Sequence, residues 1–245
     1  MKNRLTIMVI IRSSIVWILL VIFAIIYNLA TPVVVKFVGK QKCRKLFQTF
    51  SYLYVFLVKY ICGVNYRIYG MENMLNKSVI IASNHQSIWE TQAYNMLFPN
   101  IIWILKQELL NIPLFGWALR ILSPIAIDRK NGVKALDQIL VQGSQAVKNG
   151  FSIVVFPEGT RVYPGQVKPF KKGAASIAKA LNLPIIPIAQ NAGTLVPKGK
   201  PWMLPGMVTV KIGAPIYLHD NESIDELTMH LESIIQAMLV EINNV

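Results

Sequence analysis

The chain has 245 residues, enough for one sizeable domain with an accessory segment, and its 53% hydrophobic and 15% charged residues argue against a multi-span transporter. The net charge of +13 is uneven, because residues 1–71 contain ten Lys or Arg and no Asp or Glu. A cationic and apolar N-terminal part suits an anionic membrane surface. A nucleic-acid partner is disfavoured, since the basic residues flank long apolar runs and form no stripe on a polar fold.

The first apolar stretch, residues 13–35, contains 23 residues and no charge. As a helix it reaches about 34 Å, which is enough to cross a bilayer core. It exceeds the apolar region of a signal peptide and shows no convincing cleavage site, so we interpret it as a retained anchor. The basic residues are Lys2 and Arg4 ahead of it and Lys36, Lys40, Lys42, Arg44 and Lys45 after it. This asymmetry predicts a membrane protein with its active domain on the cytoplasmic side, and we expect the bacterial inner membrane.

A second apolar stretch, residues 46–58, contains 13 residues, too few to span a membrane. Its aromatic residues favour a helix lying at the membrane interface. An alternative is a helical hairpin, formed by both stretches and embedded in one leaflet. Cys43 and Cys62 fall in no metal or redox spacing, and we interpret them as small apolar residues. The sequence therefore predicts membrane-anchoring helices in residues 1–62.

Beyond residue 62, short β-branched runs alternate with helical stretches. The predicted strands are residues 65–69, 78–82, 101–105, 123–127, 152–156, 184–189 and 207–212. The predicted helices are residues 89–97, 132–148, 173–181 and 223–242, with Gly150 and Asn182 as stop signals after the second and third. This alternation predicts one α/β domain, residues 63–245, with a largely parallel sheet flanked by helices. In such sheets, functional sites gather where strands end and loops begin.

The first candidate site follows the predicted strand 78–82, where Ser83-Asn84-His85-Gln86-Ser87 leads into a helix. An imidazole with a carboxylate partner is a suitable general base for an alcohol near neutral pH. Glu90 lies five residues beyond His85 and can hold the ring in one tautomer. Residues 87–90 also match a capping box, so Glu90 has a structural interpretation that does not exclude the catalytic one.

The second candidate site follows the predicted strand 152–156. Pro157 and Gly159 indicate a turn there, which is the structural interpretation. A turn at a strand end that presents both a carboxylate, Glu158, and a guanidinium, Arg161, is unusual without a ligand. The planar fork of Arg161 suits a phosphate, and Glu158 can accept from a hydroxyl or position that guanidinium.

Together these segments resemble the glycerolipid acyltransferase family, and within it the 1-acyl-glycerol-3-phosphate acyltransferases. Asn84-His85, followed after four residues by Glu90, matches the first family motif with Glu where Asp is commoner. The second, third and fourth motifs resemble residues 124–129, 156–161 and 183–187, in the family's order. The resemblance runs from about residue 46 to 215, and four ordered motifs are more specific than the His and acid pair alone.

The resemblance implies a fatty acyl transfer from acyl-CoA or acyl carrier protein to a lysophospholipid, in contact with membrane lipids and without a cofactor. His85, oriented by Glu90, would deprotonate the acceptor hydroxyl as it attacks the thioester. The implied substrate-binding residues are Glu158, Gly159, Thr160, Arg161, Lys106 and Arg129. Arg161 would bind the acceptor phosphate with Arg129 as a second candidate, and Lys106 or a backbone amide would serve the oxyanion. Surface cations are the alternative interpretation of Lys106 and Arg129.

Several other enzyme classes lack support in the sequence. The motifs of serine hydrolases, P-loop nucleotide-binding proteins, zincins and dinucleotide-binding proteins are missing, and three scattered His with two Cys predict no metal site. Two alternatives stay open: an acyltransferase of the same family with another acceptor, such as glycerol 3-phosphate or an amino-acid lysolipid, and an inert membrane adaptor. The intact pair of His85 and Glu90 argues against the adaptor, which needs no base.

Overall fold

Seven strands form one sheet in the computed structural model, which describes residues 6–98, 100–113, 115–128, 132–219 and 221–244. The strands are β1 (Val64–Tyr69), β2 (Ile80–Ser83), β3 (Ile101–Lys106), β4 (Ile125–Ile127), β5 (Ser152–Val155), β6 (Ile185–Gln190) and β7 (Gly206–Ile212). Their order is β1-β7-β6-β2-β5-β3-β4, and all neighbours run parallel except the antiparallel β6 and β7. The predicted α/β fold with a largely parallel sheet is confirmed.

Six helices accompany the sheet in the described residues. They are α1 (Ile7–Cys62), α2 (Trp89–Leu97), α3 (Phe115–Leu122), α4 (Gly132–Lys148), α5 (Gly173–Leu181) and α6 (Ile224–Asn243). The predicted stop signals are confirmed, because Gly150 (φ 78°) follows α4 and Asn182 (φ 50°) caps α5 in the left-handed region. Helix α3 lies outside the predicted helices. It has only eight residues, about two turns, which is too short for a helical repeat to be recognised in the sequence.

Helix α1 is broken into two arms at Gly39, whose φ of 79° and ψ of 163° are not helical. The arms fold back on each other: the Tyr27 hydroxyl lies 2.7 Å from Oγ1 of Thr49, and the Tyr27 and Phe50 ring centroids are 5.7 Å apart. The two apolar stretches therefore pair as a helical hairpin. The first arm includes a 31-residue stretch, Ile7–Phe37, of hydropathy 2.7 that is long and apolar enough to cross a membrane.

The first arm of the hairpin packs against the α/β domain. Val16 is fully buried, and the Trp17 indole N–H donates to the Pro201 carbonyl at 2.7 Å. Oγ of Ser13 accepts the backbone N–H of Met203 at 2.8 Å. Helix α1 ends at Cys62 and β1 begins at Val64, close to the predicted division at residue 62, but the first arm shares the domain's hydrophobic core.

The second arm has one buried and one exposed face. Tyr54 and Val58 are buried in the same core cluster as residues of α2, whereas Tyr52 and Phe56 are exposed. The segment predicted as an interfacial helix is therefore also part of the core through its buried face.

The sheet is covered on both sides, as predicted for a largely parallel sheet flanked by helices. Successive residues of β2 face opposite layers: Ile81 packs in a core cluster with α1 and α2, and Ile80 in a cluster with α4, α5 and α6. Strands β2 and β5 are parallel neighbours, with Ala82 opposite Val155. The loops that follow these two strands therefore leave the same edge of the sheet.

Candidate active site

The two candidate motifs meet at the C-terminal edge of β2 and β5. The backbone N–H of His85 donates to Oε2 of Glu158 at 2.6 Å, and the backbone N–H of Val162 donates to the His85 carbonyl at 2.7 Å. The imidazole of His85 stacks on the Phe156 ring, with centroids 3.9 Å apart and planes 7° apart. The loop after β5 therefore fixes both the backbone and the ring of His85.

His85 and Glu90 form a hydrogen-bonded pair. Nδ1 of His85 lies 2.8 Å from Oε1 of Glu90, whose side chain is 0% exposed, while 19% of the His85 side chain is exposed. A carboxylate only accepts, so the hydrogen of this bond belongs to Nδ1. Nε2 is left with a lone pair, and it makes no hydrogen bond to the described residues. The pair has the arrangement of a general base with its orienting carboxylate.

The same Glu90 oxygen also binds the turn ahead of α2. Oε1 accepts the backbone N–H groups of Gln86 and Ser87, each at 2.8 Å. Only half of the predicted capping box is thus present: the Ser87 N–H donates to Glu90, but the N-cap of α2 is Ile88, with no side-chain cap. Oγ of Ser87 accepts from Trp89 N at 3.1 Å and donates to the Val196 carbonyl at 2.6 Å. The turn ahead of α2 is therefore bonded to Glu90 and to the Val196 carbonyl.

Glu158 is buried, with 6% of the residue exposed. Burial raises its pKa to about 7, against the lowering effect of the hydrogen bond from His85 N, and the charge of Glu90 adds to the rise. The Glu158 carboxylate accepts a hydrogen bond from the backbone N–H of His85. Glu158 therefore contacts the segment that carries the imidazole.

The remaining predicted residues lie at the same edge of the sheet or outside the described part. Thr160 is exposed and Arg161 half-buried, and the Arg161 guanidinium makes no ion pair or hydrogen bond within the described part of the chain. Gly159 has a φ of 70°, and the end of the Lys171 side chain lies over it. Lys106 is exposed at the C-terminal end of β3, beside β5, while Arg129 lies outside the described residues.

Two further residues contact the site without having been predicted. Asn84 and the backbone of Gln190 exchange two hydrogen bonds of 2.9 Å, which tie the His85 loop to the end of β6. Nζ of Lys198 donates to the Arg161 carbonyl at 2.8 Å. Gln190 is the last residue of β6 and Lys198 follows that strand, which is the neighbour of β2, so their proximity to the site depends on the strand order.

Comparison with known proteins agrees with this geometry. A family model described as Acyltransferase matches residues 65–191. The chain is 36% identical over 206 residues to a 1-acyl-sn-glycerol-3-phosphate acyltransferase of Pseudomonas aeruginosa, covering 83% of this chain and 80% of that protein. It is 29% identical over 194 residues to the Saccharomyces cerevisiae protein of the same name, covering 78% and 63% of the two chains.

A solved structure shows the same fold. The crystal structure of the 1-acyl-sn-glycerophosphate acyltransferase PlsC from Thermotoga maritima superposes with a TM-score of 0.79 and 23% sequence identity. The superposition covers 96% of this chain and 95% of that one, so it includes the α1 hairpin as well as the sheet. From the family match and the Pseudomonas relative, we conclude that the chain belongs to the acyltransferase family.

Proposed function

We propose that the protein transfers a fatty acyl group from an acyl thioester to the sn-2 hydroxyl of 1-acyl-glycerol-3-phosphate, giving phosphatidic acid and a free thiol. The observation that carries the proposal is the pair of His85 and the buried Glu90, with Nε2 of His85 unengaged by the described residues. Its family membership supports acyl transfer, and the names of its relatives support this acceptor.

His85 acts as the general base. Nε2 takes the proton of the acceptor hydroxyl while that oxygen attacks the thioester carbonyl. The charge of Glu90 stabilises the imidazolium that forms. Collapse of the tetrahedral intermediate breaks the C–S bond, and the imidazolium returns its proton to the leaving thiolate. No acyl-enzyme is needed, and Lys106 is our candidate donor to the oxyanion.

Arg161 binds the acceptor phosphate. Its guanidinium has no carboxylate partner in the described residues, and its backbone adjoins Val162, which is bonded to His85. A guanidinium fork gives a phosphate two parallel hydrogen bonds. Lys171 and Lys198 flank the same loop and raise the local concentration of anionic substrate, with Arg129 as a further phosphate ligand. Glu158, Gly159 and Thr160 shape the loop that presents Arg161.

We infer that the α1 hairpin attaches the protein to a membrane, because its first arm has the length and hydropathy of a spanning segment. The basic residues after that arm support a location of the α/β domain on the cytoplasmic side of a bacterial inner membrane. A lysolipid acceptor resides in such a membrane, whereas the thioester donor, acyl-CoA or acyl carrier protein, arrives from the aqueous phase.

An acceptor panel tests this proposal. The purified protein in detergent is given acyl-CoA or acyl carrier protein, and thiol release is measured with 1-acyl-glycerol-3-phosphate, glycerol 3-phosphate, an amino-acid lysolipid or monoacylglycerol. We expect the highest kcat/KM with 1-acyl-glycerol-3-phosphate and a much lower one with monoacylglycerol, which lacks the phosphate. A preference for glycerol 3-phosphate or the amino-acid lysolipid would reassign the acceptor. Failure with every acceptor and both donors would favour the inert adaptor.

A further inference from the structure

The two carboxylate oxygens of Glu90 have unequal partners. Oε1 accepts from His85, Gln86 and Ser87, whereas Oε2 is buried and has no hydrogen-bond partner in the described residues. Leaving a buried polar group unpaired destabilises the folded state, and a charged group does so more strongly. A buried carboxylate oxygen in this position is therefore expected to have a donor nearby.

Tyr54 on the second arm of α1 offers such a donor. It is 2% exposed, and its hydroxyl is also buried without a hydrogen-bond partner in the described residues. One turn earlier on α1, Oγ of Ser51 donates to Oε1 of Gln92 at 2.8 Å, and Gln92 lies two residues beyond Glu90 on α2. The buried face of α1 therefore lies against the first turns of α2.

The Tyr54 hydroxyl and the Glu90 carboxylate also interact electrostatically. Burial raises the pKa of the Tyr54 hydroxyl, and the negative charge of Glu90 adds to that rise. The hydroxyl accordingly stays protonated at physiological pH and can donate. It is thus the complement of Oε2, which can only accept.

We propose that Tyr54 is a positioning residue for the pair of His85 and Glu90. Its hydroxyl, which makes no direct bond to Glu90 in this structure, donates to Oε2 through one buried water. Oε1 is then held towards His85 and the turn ahead of α2. The inference rests on the proposed function for its catalytic consequence, but the hydrogen bond itself does not. It makes the membrane-attaching hairpin part of the support of the catalytic pair.

The competing donor is the indole N–H of Trp89, which is also buried without a partner. Its ring packs beside Tyr66 of β1, with centroids 5.9 Å apart. Trp89 precedes Glu90 on α2, so the two side chains leave the helix about 100° apart. Tyr54 faces α2 from another helix, which favours it as the donor.

Tyr54→Phe tests the inference because it removes the hydroxyl and keeps the ring. We expect kcat to fall about 10-fold, the effect of losing one charge-assisted hydrogen bond, with KM for both substrates unchanged. Tyr52→Phe is the matched control: Tyr52 is 54% exposed, its hydroxyl donates to the Met96 carbonyl, and its loss should change kcat less than twofold. Placing 4-aminophenylalanine at position 54 restores a donor and should restore most of the activity.

A double-mutant cycle with Glu90→Ala separates this role from general support of the fold. Tyr54→Phe should lower the midpoint of thermal unfolding by about 2–4 °C in the wild-type background and hardly at all once Glu90 is gone. The comparison of unfolding midpoints needs no enzymatic activity, so it tests the hydrogen bond even if acyl transfer is not the function. If Glu90→Ala does not fold, the split between kcat and KM and the 4-aminophenylalanine rescue decide. The proposal would be overturned if Tyr54→Phe lowered the unfolding midpoint equally with and without Glu90, or if Tyr54→Phe left kcat unchanged. It would also be overturned if Trp89→Phe lowered kcat and Tyr54→Phe did not.

Discussion

Oε1 of Glu90 lies 2.8 Å from Nδ1 of His85 and equally close to the backbone nitrogen of Ser87. One oxygen therefore joins the imidazole to the turn that starts α2. This oxygen both orients the imidazole and supports the turn ahead of α2, and a substitution that keeps an oxygen at this place separates the two effects.

Glu90→Gln should lower kcat about 10- to 100-fold and leave the midpoint of unfolding nearly unchanged. The amide oxygen still accepts from Ser87, but the charge that stabilises the imidazolium is lost. Glu226→Gln is the matched control, because Glu226 accepts from Ser223 N in the capping box of α6, away from the site. A silent Glu90→Gln variant would show that Glu90 only supports the turn ahead of α2.

Arg161→Lys should raise KM for the lysophospholipid at least several-fold more than KM for the acyl donor. Lys keeps the charge and loses the bidentate fork. Arg67→Lys on the edge strand β1, where Arg67 is exposed and bonded to the Tyr69 hydroxyl, should alter neither constant. Equal increases for both substrates with Arg161→Lys would indicate a structural role for the guanidinium.

Glu158→Gln should change how stability depends on pH. Burial raises the pKa of Glu158 to about 7 from 4.5, so the folded protein binds this proton more tightly than the unfolded chain does. The group's contribution to the free energy of unfolding therefore falls as pH rises through this range and is lowest above about pH 7. Gln does not ionise, so the stability of the variant relative to wild type should rise by up to about 3 kcal/mol between pH 5 and 8.

Thermal unfolding of both proteins at several pH values measures this difference. The exposed Glu226→Gln should show no such rise, because the pKa of Glu226 is lowered and it titrates below this range. A constant difference between Glu158→Gln and wild type would mean that Glu158 is ionised throughout.

Ser13→Ala should destabilise the protein by about 1–3 kcal/mol, because the buried N–H of Met203 loses its acceptor. Ser14→Ala is the control, since Ser14 is exposed. The measurement is thermal unfolding in detergent. Equal midpoints for the two variants would show that the first arm of α1 only tethers the domain and does not help to hold it together.

Sequence patterns predicted the strands and the pair of His85 and Glu90 because both are local features. Short β-branched runs mark the buried strands, and the contact between His85 and Glu90 spans five residues across one strand-to-helix turn. The loop at residues 156–161 is also a local feature, because it combines a turn with a carboxylate and a guanidinium at a strand end. Its contacts to His85 follow from the adjacency of β2 and β5. The role of this loop in acyl transfer remains a prediction.

Other features depend on contacts between distant parts of the chain. Gln190 and Lys198 reach the site because β6 lies next to β2, and Tyr54 faces α2 because α1 doubles back at Gly39. Strand β7 runs antiparallel to its neighbour β6, and strand composition does not encode this direction. Periodicity along one segment carries no information on these relationships.

The most direct test of the central claim is His85→Ala assayed for thiol release from acyl-CoA with 1-acyl-glycerol-3-phosphate. His230→Ala is the control, since His230 is exposed on α6. We predict that His85→Ala lowers kcat at least about 100-fold, as expected on removing a general base, while its unfolding midpoint and its co-sedimentation with vesicles match those of wild type. Near-normal transfer by purified, folded His85→Ala would contradict the mechanism.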